Sequence, residues 1–248
     1  MKASLFAVLA LLPAVGTGSR EGVTVFAAAS LADAVEEIGR AYEKDSGTRV
    51  VLNVGASSDL ARQILAGAGA DLFFSADRAQ MDVVEKAGLV RGSDRVELLS
   101  NVLVVVVPAD APTRVGSPAD LALLRRIALA DPEAVPAGVY ARRYLESIGL
   151  WSALKDRVIP TLNVRAALAA VESGNADAGL VYRTDAALSR RVRVAFTVTA
   201  EQGPRIVYVL APLADSRKPA ALELVRRLAG PEARTIFERY GFQVLAPR

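Results

Sequence analysis

From residue 23 onward the sequence switches repeatedly between two hydrophobic periods, and that switching constrains the fold more than any other feature. Short apolar, β-branched runs at 23–27, 49–54, 71–75, 101–107, 127–129, 178–182, 193–198 and 206–210 read as strands. Between them lie segments of helical period at 31–44, 58–66, 80–86, 139–148, 164–172, 218–228 and 231–240. In the first of these, Leu31, Ala34, Val35, Ile38 and Tyr42 share one face. Gly67 and Gly88 close the second and third, and Pro231 opens the last. Alternation of this kind predicts α/β architecture with largely parallel sheets. The run 101–107 is unbroken and apolar, as a strand buried on both faces would be, and Pro108 ends it. A new unit starts there, and the chain returns near 199–207. We therefore expect two doubly wound α/β domains joined by two crossing strands, with 20–103 and 205–248 in domain I and 104–204 in domain II. Such a pair closes around a ligand by hinging.

Composition removes several function classes. The 248 residues include no cysteine and no histidine. Disulfides, a lipid-anchored cysteine and a thiol nucleophile are thereby absent, as are the usual histidine triad and zinc ligands. The formal charge is +3, with no basic cluster that would attract nucleic acid. At the N-terminus, Lys2 precedes an apolar run over 5–15, followed by small residues at Gly16 and Gly18. This reads as a cleaved signal peptide, 1–19, and implies a periplasmic protein. Its loss takes Lys2 away and leaves a charge of about +2.

Four junctions leading into helices share one chemistry. They are Ala27-Ala28-Ala29-Ser30, Gly55-Ala56-Ser57-Ser58, the segment from Asp131 through Pro136-Ala137-Gly138, and Asn163 before Val164. Ser30 reads as an N-cap, with Asp33 completing a capping box, and Asn163 as a second N-cap. Small residues let a ligand approach the backbone. Helix N-termini offer unpaired N–H groups and about half a positive charge. Several aimed at one point make an anion site without cationic side chains.

The segments Val25-Phe26-Ala27-Ala28-Ala29-Ser30-Leu31, Ala56-Ser57-Ser58-Asp59-Leu60-Ala61-Arg62, Gly69-Ala70-Asp71-Leu72-Phe73-Phe74-Ser75-Ala76-Asp77, Asp131-Pro132-Glu133-Ala134-Val135-Pro136-Ala137-Gly138-Val139-Tyr140, Gly179-Leu180-Val181-Tyr182 and Arg239-Tyr240-Gly241-Phe242 resemble the periplasmic molybdate-binding proteins, in order and over nearly all of the chain after the signal segment. The resemblance implies a type II periplasmic binding protein that is not an enzyme. Its ligand would be molybdate or tungstate, carried as cargo rather than as a cofactor, with sulfate or another tetrahedral oxyanion as the alternative. Its partner would be the permease of an ABC importer, and we expect a monomer. It also implies the contacts. Ser30 and Ser57 would give hydroxyls, with Ser58 the rival of Ser57. Ala137 and Val164 would give backbone N–H groups, and Tyr182 its phenol. Asp59 stands where a neutral residue is expected, and should face solvent in the first helical turn.

Other signals point elsewhere. Ser152-Ala153-Leu154-Lys155 fits the S-x-x-K pattern of a Ser-Lys hydrolase, but no K-T-G follows. Asp77, Asp131 and Asp185 lack the spacing of a cation loop and read as caps and turns. Trp151, Phe73 and Phe74 read as core, and Arg165 as a charge outside the site.

Overall fold

A computed structural model of the chain describes residues 22–111, 115–216 and 218–246. The expected signal segment, 1–19, lies outside the described residues. One sheet holds β1 (Val23–Ala28), β2 (Val50–Gly55), β3 (Leu72–Ser75), β4 (Val96–Ser100), β10 (Tyr208–Pro212) and β11 (Gln243–Val244), in the order β11-β4-β10-β3-β1-β2. The other holds β5 (Leu103–Pro108), β6 (Ile127–Ala130), β7 (Val158–Thr161), β8 (Ala178–Tyr182) and β9 (Val192–Thr197), in the order β7-β6-β8-β5-β9. Helices α1 (Ala32–Ser46), α2 (Ser57–Leu65), α3 (Arg78–Lys86), α8 (Pro219–Ala229) and α9 (Pro231–Arg239) pack on the first sheet. Helices α4 (Pro136–Ser147), α6 (Val164–Glu172) and α7 (Arg183–Ala187) pack on the second, and the short α5 (Trp151–Leu154) lies against α4. Each sheet with its helices forms one lobe.

The period-2 alternation of the strands explains the layering. Val23, Val25, Ala27, Leu72 and Phe74 join a core with Val35 and Ile38 of α1, Leu224 of α8 and Phe237 of α9. Phe26 and Phe73 point the other way, to Leu60 and Ile64 of α2 and Met81 and Val84 of α3. Helices therefore cover both faces of the first sheet, as expected of a doubly wound fold.

The sheets are mixed rather than largely parallel. Parallel pairing is confined to β1 with β2 and β3, and to β6 with β7 and β8. Strand β10 runs antiparallel to β3 and β4, and β5 antiparallel to β8 and β9. The reason lies in how these two strands arrive. Both enter from the opposite lobe, so neither is bound by the right-handed crossover that makes neighbours parallel. The passage from β4 to β5 is two residues, Asn101 and Val102. The return, 198–207, contains a turn in which the N–H groups of Gln202 and Gly203 both donate to the Thr199 carbonyl. Strands β4, β7 and β11 fall outside the sequence expectation for local reasons. β4 carries the polar Glu97, β7 contains Pro160, and β11 is two residues long.

Candidate ligand-binding site

The carboxyl ends of the parallel strands of both lobes face each other, as ligand sites in open α/β sheets do. From the first lobe come Ala28, Ala29 and Ser30 at the end of β1, Gly55, Ala56 and Ser57 at the end of β2, and Ala76 after β3. From the second come Val135, Pro136 and Ala137 before α4, Asn163 and Val164 at α6, and Tyr182 at the end of β8. Together they enclose a cavity of about 20 Å³. So small a cavity suits a compact ligand of a few atoms. The structure brings Ser30, Ser57, Ala137, Val164 and Tyr182 to this one cavity. Ser58 is not on its lining; its hydroxyl is buried and has no partner.

Helix geometry decides which N–H groups are available. The first N–H groups of an α-helix have no acceptor within it. In α2 the first satisfied group is Asp59, bonded to the Ala56 carbonyl, which leaves Ser57 and Ser58 without an acceptor in the helix. In α4, Pro136 has no N–H and Val139 bonds to the Val135 carbonyl, which leaves Ala137 and Gly138. In α6, Asn163 caps Ala166 through its side-chain oxygen at 3.0 Å, which leaves Val164 and Arg165. Gly138 is essential to the α4 end. A Cβ there would stand 2.0 Å from the Ala130 carbonyl oxygen and 2.5 Å from that of Asp131. Only glycine lets α4 begin this close to β6.

Three hydroxyls complete the donor set. The Ser57 hydroxyl oxygen accepts from the Ala76 N–H at 2.9 Å, so its own hydrogen is free to point elsewhere. The Tyr182 phenol is buried with no partner among the described residues. Burial raises its pKa well above the usual phenol value, which keeps it a neutral donor. Ser30 differs from the expectation. It lies in a single 3-10 turn, Ala29–Leu31, and makes no capping bond; α1 starts one residue beyond that turn. Its hydroxyl instead meets the Tyr208 phenol at 3.0 Å. Asp33 likewise forms no capping box and pairs with Arg165 at 2.6 Å. The competing bonds are tertiary, which is why local pattern did not reveal them.

None of the lining residues carries a charge. Asp59 pairs with Arg62 and is 40% exposed in its side chain, in line with the expected solvent-facing turn. Larger grooves exist, such as one of about 310 Å³ between α1 and β2, but Glu36, Arg40 and Glu43 line it and no helix starts converge on it. Among the described residues no group of histidine, cysteine, aspartate or glutamate could hold a metal ion. Asp77 caps α3 and Asp131 closes a turn by accepting from the Glu133 N–H. Ser152 and Lys155 are exposed.

Sequence reasoning missed Tyr208 behind the lining, whereas Arg165 lies outside the cavity as its reading expected. Tyr208 is fully buried and touches the Tyr182 ring at 5.9 Å and Phe242 at 5.4 Å. Arg165 bridges the lobes, joining Asp33 of α1 to the fully buried Asp185 of α7. Burial pushes the Asp185 carboxyl up to about 6, against the pull of Arg165. A carboxyl raised in the folded state contributes stability that is present below its ordinary pKa and lost as pH rises through the folded value. The melting temperature of the parent, relative to Asp185→Asn, should therefore fall between about pH 4 and pH 7, by the equivalent of no more than about 3 kcal/mol. A gap that stays flat or widens in the parent's favour over this window would contradict the assignment.

The comparisons with known proteins agree on one family. Residues 23–243 match the model described as bacterial extracellular solute-binding protein. The chain is 39% identical over 228 residues to the molybdate-binding protein ModA of Escherichia coli (strain K12), covering 90% of this chain and 89% of that one. In fold it resembles the Azotobacter vinelandii periplasmic molybdate-binding protein, with a TM-score of 0.79 at 23% identity, over 90% of this chain and 100% of the other. It also resembles the sulfate-binding protein SubI of Mycobacterium tuberculosis H37Rv, with a TM-score of 0.78 at 20% identity, over 92% and 88%.

Proposed function

Because this chain belongs to the family of bacterial extracellular solute-binding proteins, we propose that it captures molybdate, and tungstate with it, between its two lobes and delivers the anion to the permease of an ABC importer. The observation that carries the reading is the uncharged, donor-rich cavity where six chain segments meet. Ser30, Ser57 and Tyr182 supply hydroxyls; Ala137 and Val164 supply N–H groups at helix starts. Each hydrogen bond to a charged group contributes about 1.5–3 kcal/mol, so a handful suffices to hold a desolvated dianion. Molybdate carries no proton at neutral pH and only accepts hydrogen bonds. A ligand bearing a proton needs an acceptor, and the lining has no carboxylate to provide one.

Domain I comprises 20–103 and 205–248 in this reading, and domain II 104–204. The segment 1–19 is removed on export to the periplasm. The binding unit is a monomer in this reading, and the chain is a carrier and not an enzyme. Sulfate is the second reading. It too is a proton-free dianion, and the likeness to a sulfate-binding fold favours keeping it. Only size separates the two, through the length of the hydrogen bonds.

Tyr182→Phe tests the site directly. Molybdate affinity should fall by about 10- to 100-fold. The unliganded protein should melt no lower than the parent, because the change removes a buried hydroxyl that has no partner. Unchanged affinity would take Tyr182 out of the site. A lower melting temperature without ligand would show that its hydroxyl is already bonded within the protein.

A further inference from the structure

We infer that Tyr208 and Asn101 fix the direction of the Ser30 hydroxyl, making it a donor toward the cavity, and so set the preference for proton-free anions from the crossing between the lobes. This rests on the proposed oxyanion reading and adds to it a chain of hydrogen bonds whose direction can be derived.

The chain starts at the backbone. Val102 N–H can only donate, and it does so to the Asn101 side-chain oxygen at 2.8 Å. That contact fixes which end of the amide is which. The Asn101 Nδ2 group therefore faces the Thr184 hydroxyl at 2.9 Å and the Tyr208 phenol at 3.2 Å, and must donate to both. The Tyr208 oxygen thus accepts one bond, and its hydrogen needs an acceptor. The Ser30 hydroxyl oxygen, 3.0 Å away, provides one. Tyr208 is fully buried, so leaving that hydrogen unbonded would carry the full desolvation penalty. Ser30 Oγ accepts from Tyr208, and the Ser30 hydrogen is left to point at the cavity its residue lines. Every bond runs the same way, from residue 102 to the ligand.

A structural role alone would predict something simpler. Tyr208 also packs against Tyr182 and Phe242, and loosening that packing would weaken every ligand alike. The directional role predicts an effect on selectivity. In Tyr208→Phe the ring remains but the donor to Ser30 is gone. The Ser30 hydroxyl can then turn and accept a hydrogen bond from a ligand that carries a proton.

The test compares molybdate with inorganic phosphate near neutral pH, by calorimetric titration of the parent, Ser30→Ala, Tyr208→Phe and the double variant. For Tyr208→Phe, molybdate affinity should fall about tenfold while phosphate affinity holds or rises, narrowing the ratio. In the Ser30→Ala background, Tyr208→Phe should leave the ratio unchanged, because the effect passes through Ser30. Parallel losses for both anions, or a ratio that still narrows without Ser30, would overturn the inference while leaving the oxyanion reading intact. If the parent binds sulfate instead of molybdate, the same ratio is taken with sulfate. A parent that binds no proton-free dianion overturns the reading and the inference together.

Discussion

Gly138→Ala is expected to cost at least about 3 kcal/mol of stability and to abolish tight anion binding. The added methyl would lie 2.0 Å from the Ala130 carbonyl oxygen, 2.5 Å from the Asp131 oxygen and 2.6 Å from the Ala130 carbonyl carbon. These are backbone atoms at the end of β6, so no rotamer change relieves the overlap. Overpacking that forces backbone shifts costs about 1–3 kcal/mol or more, and backbone neighbours put this case at the top of that range. The start of α4 has to withdraw from β6, and it carries Ala137 with it. The Ala137 N–H then misses the cavity, and the helix end loses its place at the anion. A melting scan and a titration on the same sample would check both halves. A variant that melts and binds like the parent would show that α4 does not depend on this approach.

Arg165→Met has a different origin and a comparable size. Arg165 donates to Asp185, whose side chain is fully buried, and to Asp33, whose side chain is 43% exposed. The two legs are unequal. The Asp33 leg is solvated and worth little by itself. The Asp185 leg answers a buried carboxylate, and removing one partner of such a pair costs about 3–5 kcal/mol because the other charge is left stranded. One Asp185 oxygen already has no partner among the described residues, so the loss of Arg165 leaves the carboxylate further short of donors. Near neutral pH we expect a loss of about 3 kcal/mol, shrinking toward acid as Asp185 takes up a proton. The Asp33 leg joins the lobes, so the variant should also bind its anion more weakly. Equal losses at acid and neutral pH would show that packing, and not charge, is at stake.

The parts of the molecule that were legible in the sequence are those set by local chemistry. Strand-to-helix junctions announce themselves through small residues followed by an amphipathic run. Four of the five expected contact residues, Ser30, Ser57, Ala137 and Val164, sit at such junctions, Tyr182 was expected from the family resemblance alone, and all five meet at one cavity. Asn163 caps its helix as its residue type suggests. The alternation of period 2 with period 3.6 revealed most of the strands and helices. What escaped is bonded across long stretches of chain. The Ser30 hydroxyl meets Tyr208, 178 residues away, and Tyr208 meets Asn101 across 107. Those tertiary partners displaced the local cap that Ser30 and Asp33 would otherwise have formed. Strand direction escaped for a similar reason. A run such as Leu103–Pro108 has the same hydrophobic pattern whether its neighbours run with it or against it. Only the route of the chain between lobes decides, and no window of residues contains that.

The most direct test of the central claim is calorimetric titration of the protein, purified without its first 19 residues and stripped of anions, with molybdate, tungstate, sulfate and phosphate, paired with melting scans. The account predicts one-to-one binding of molybdate and tungstate, weak binding of sulfate and weaker binding of phosphate. Ligand at about 100 times its dissociation constant should then stabilise the fold by about 2.7 kcal/mol. Folded protein that ignores molybdate and tungstate would contradict the account, and tight phosphate binding would contradict its donor-only basis.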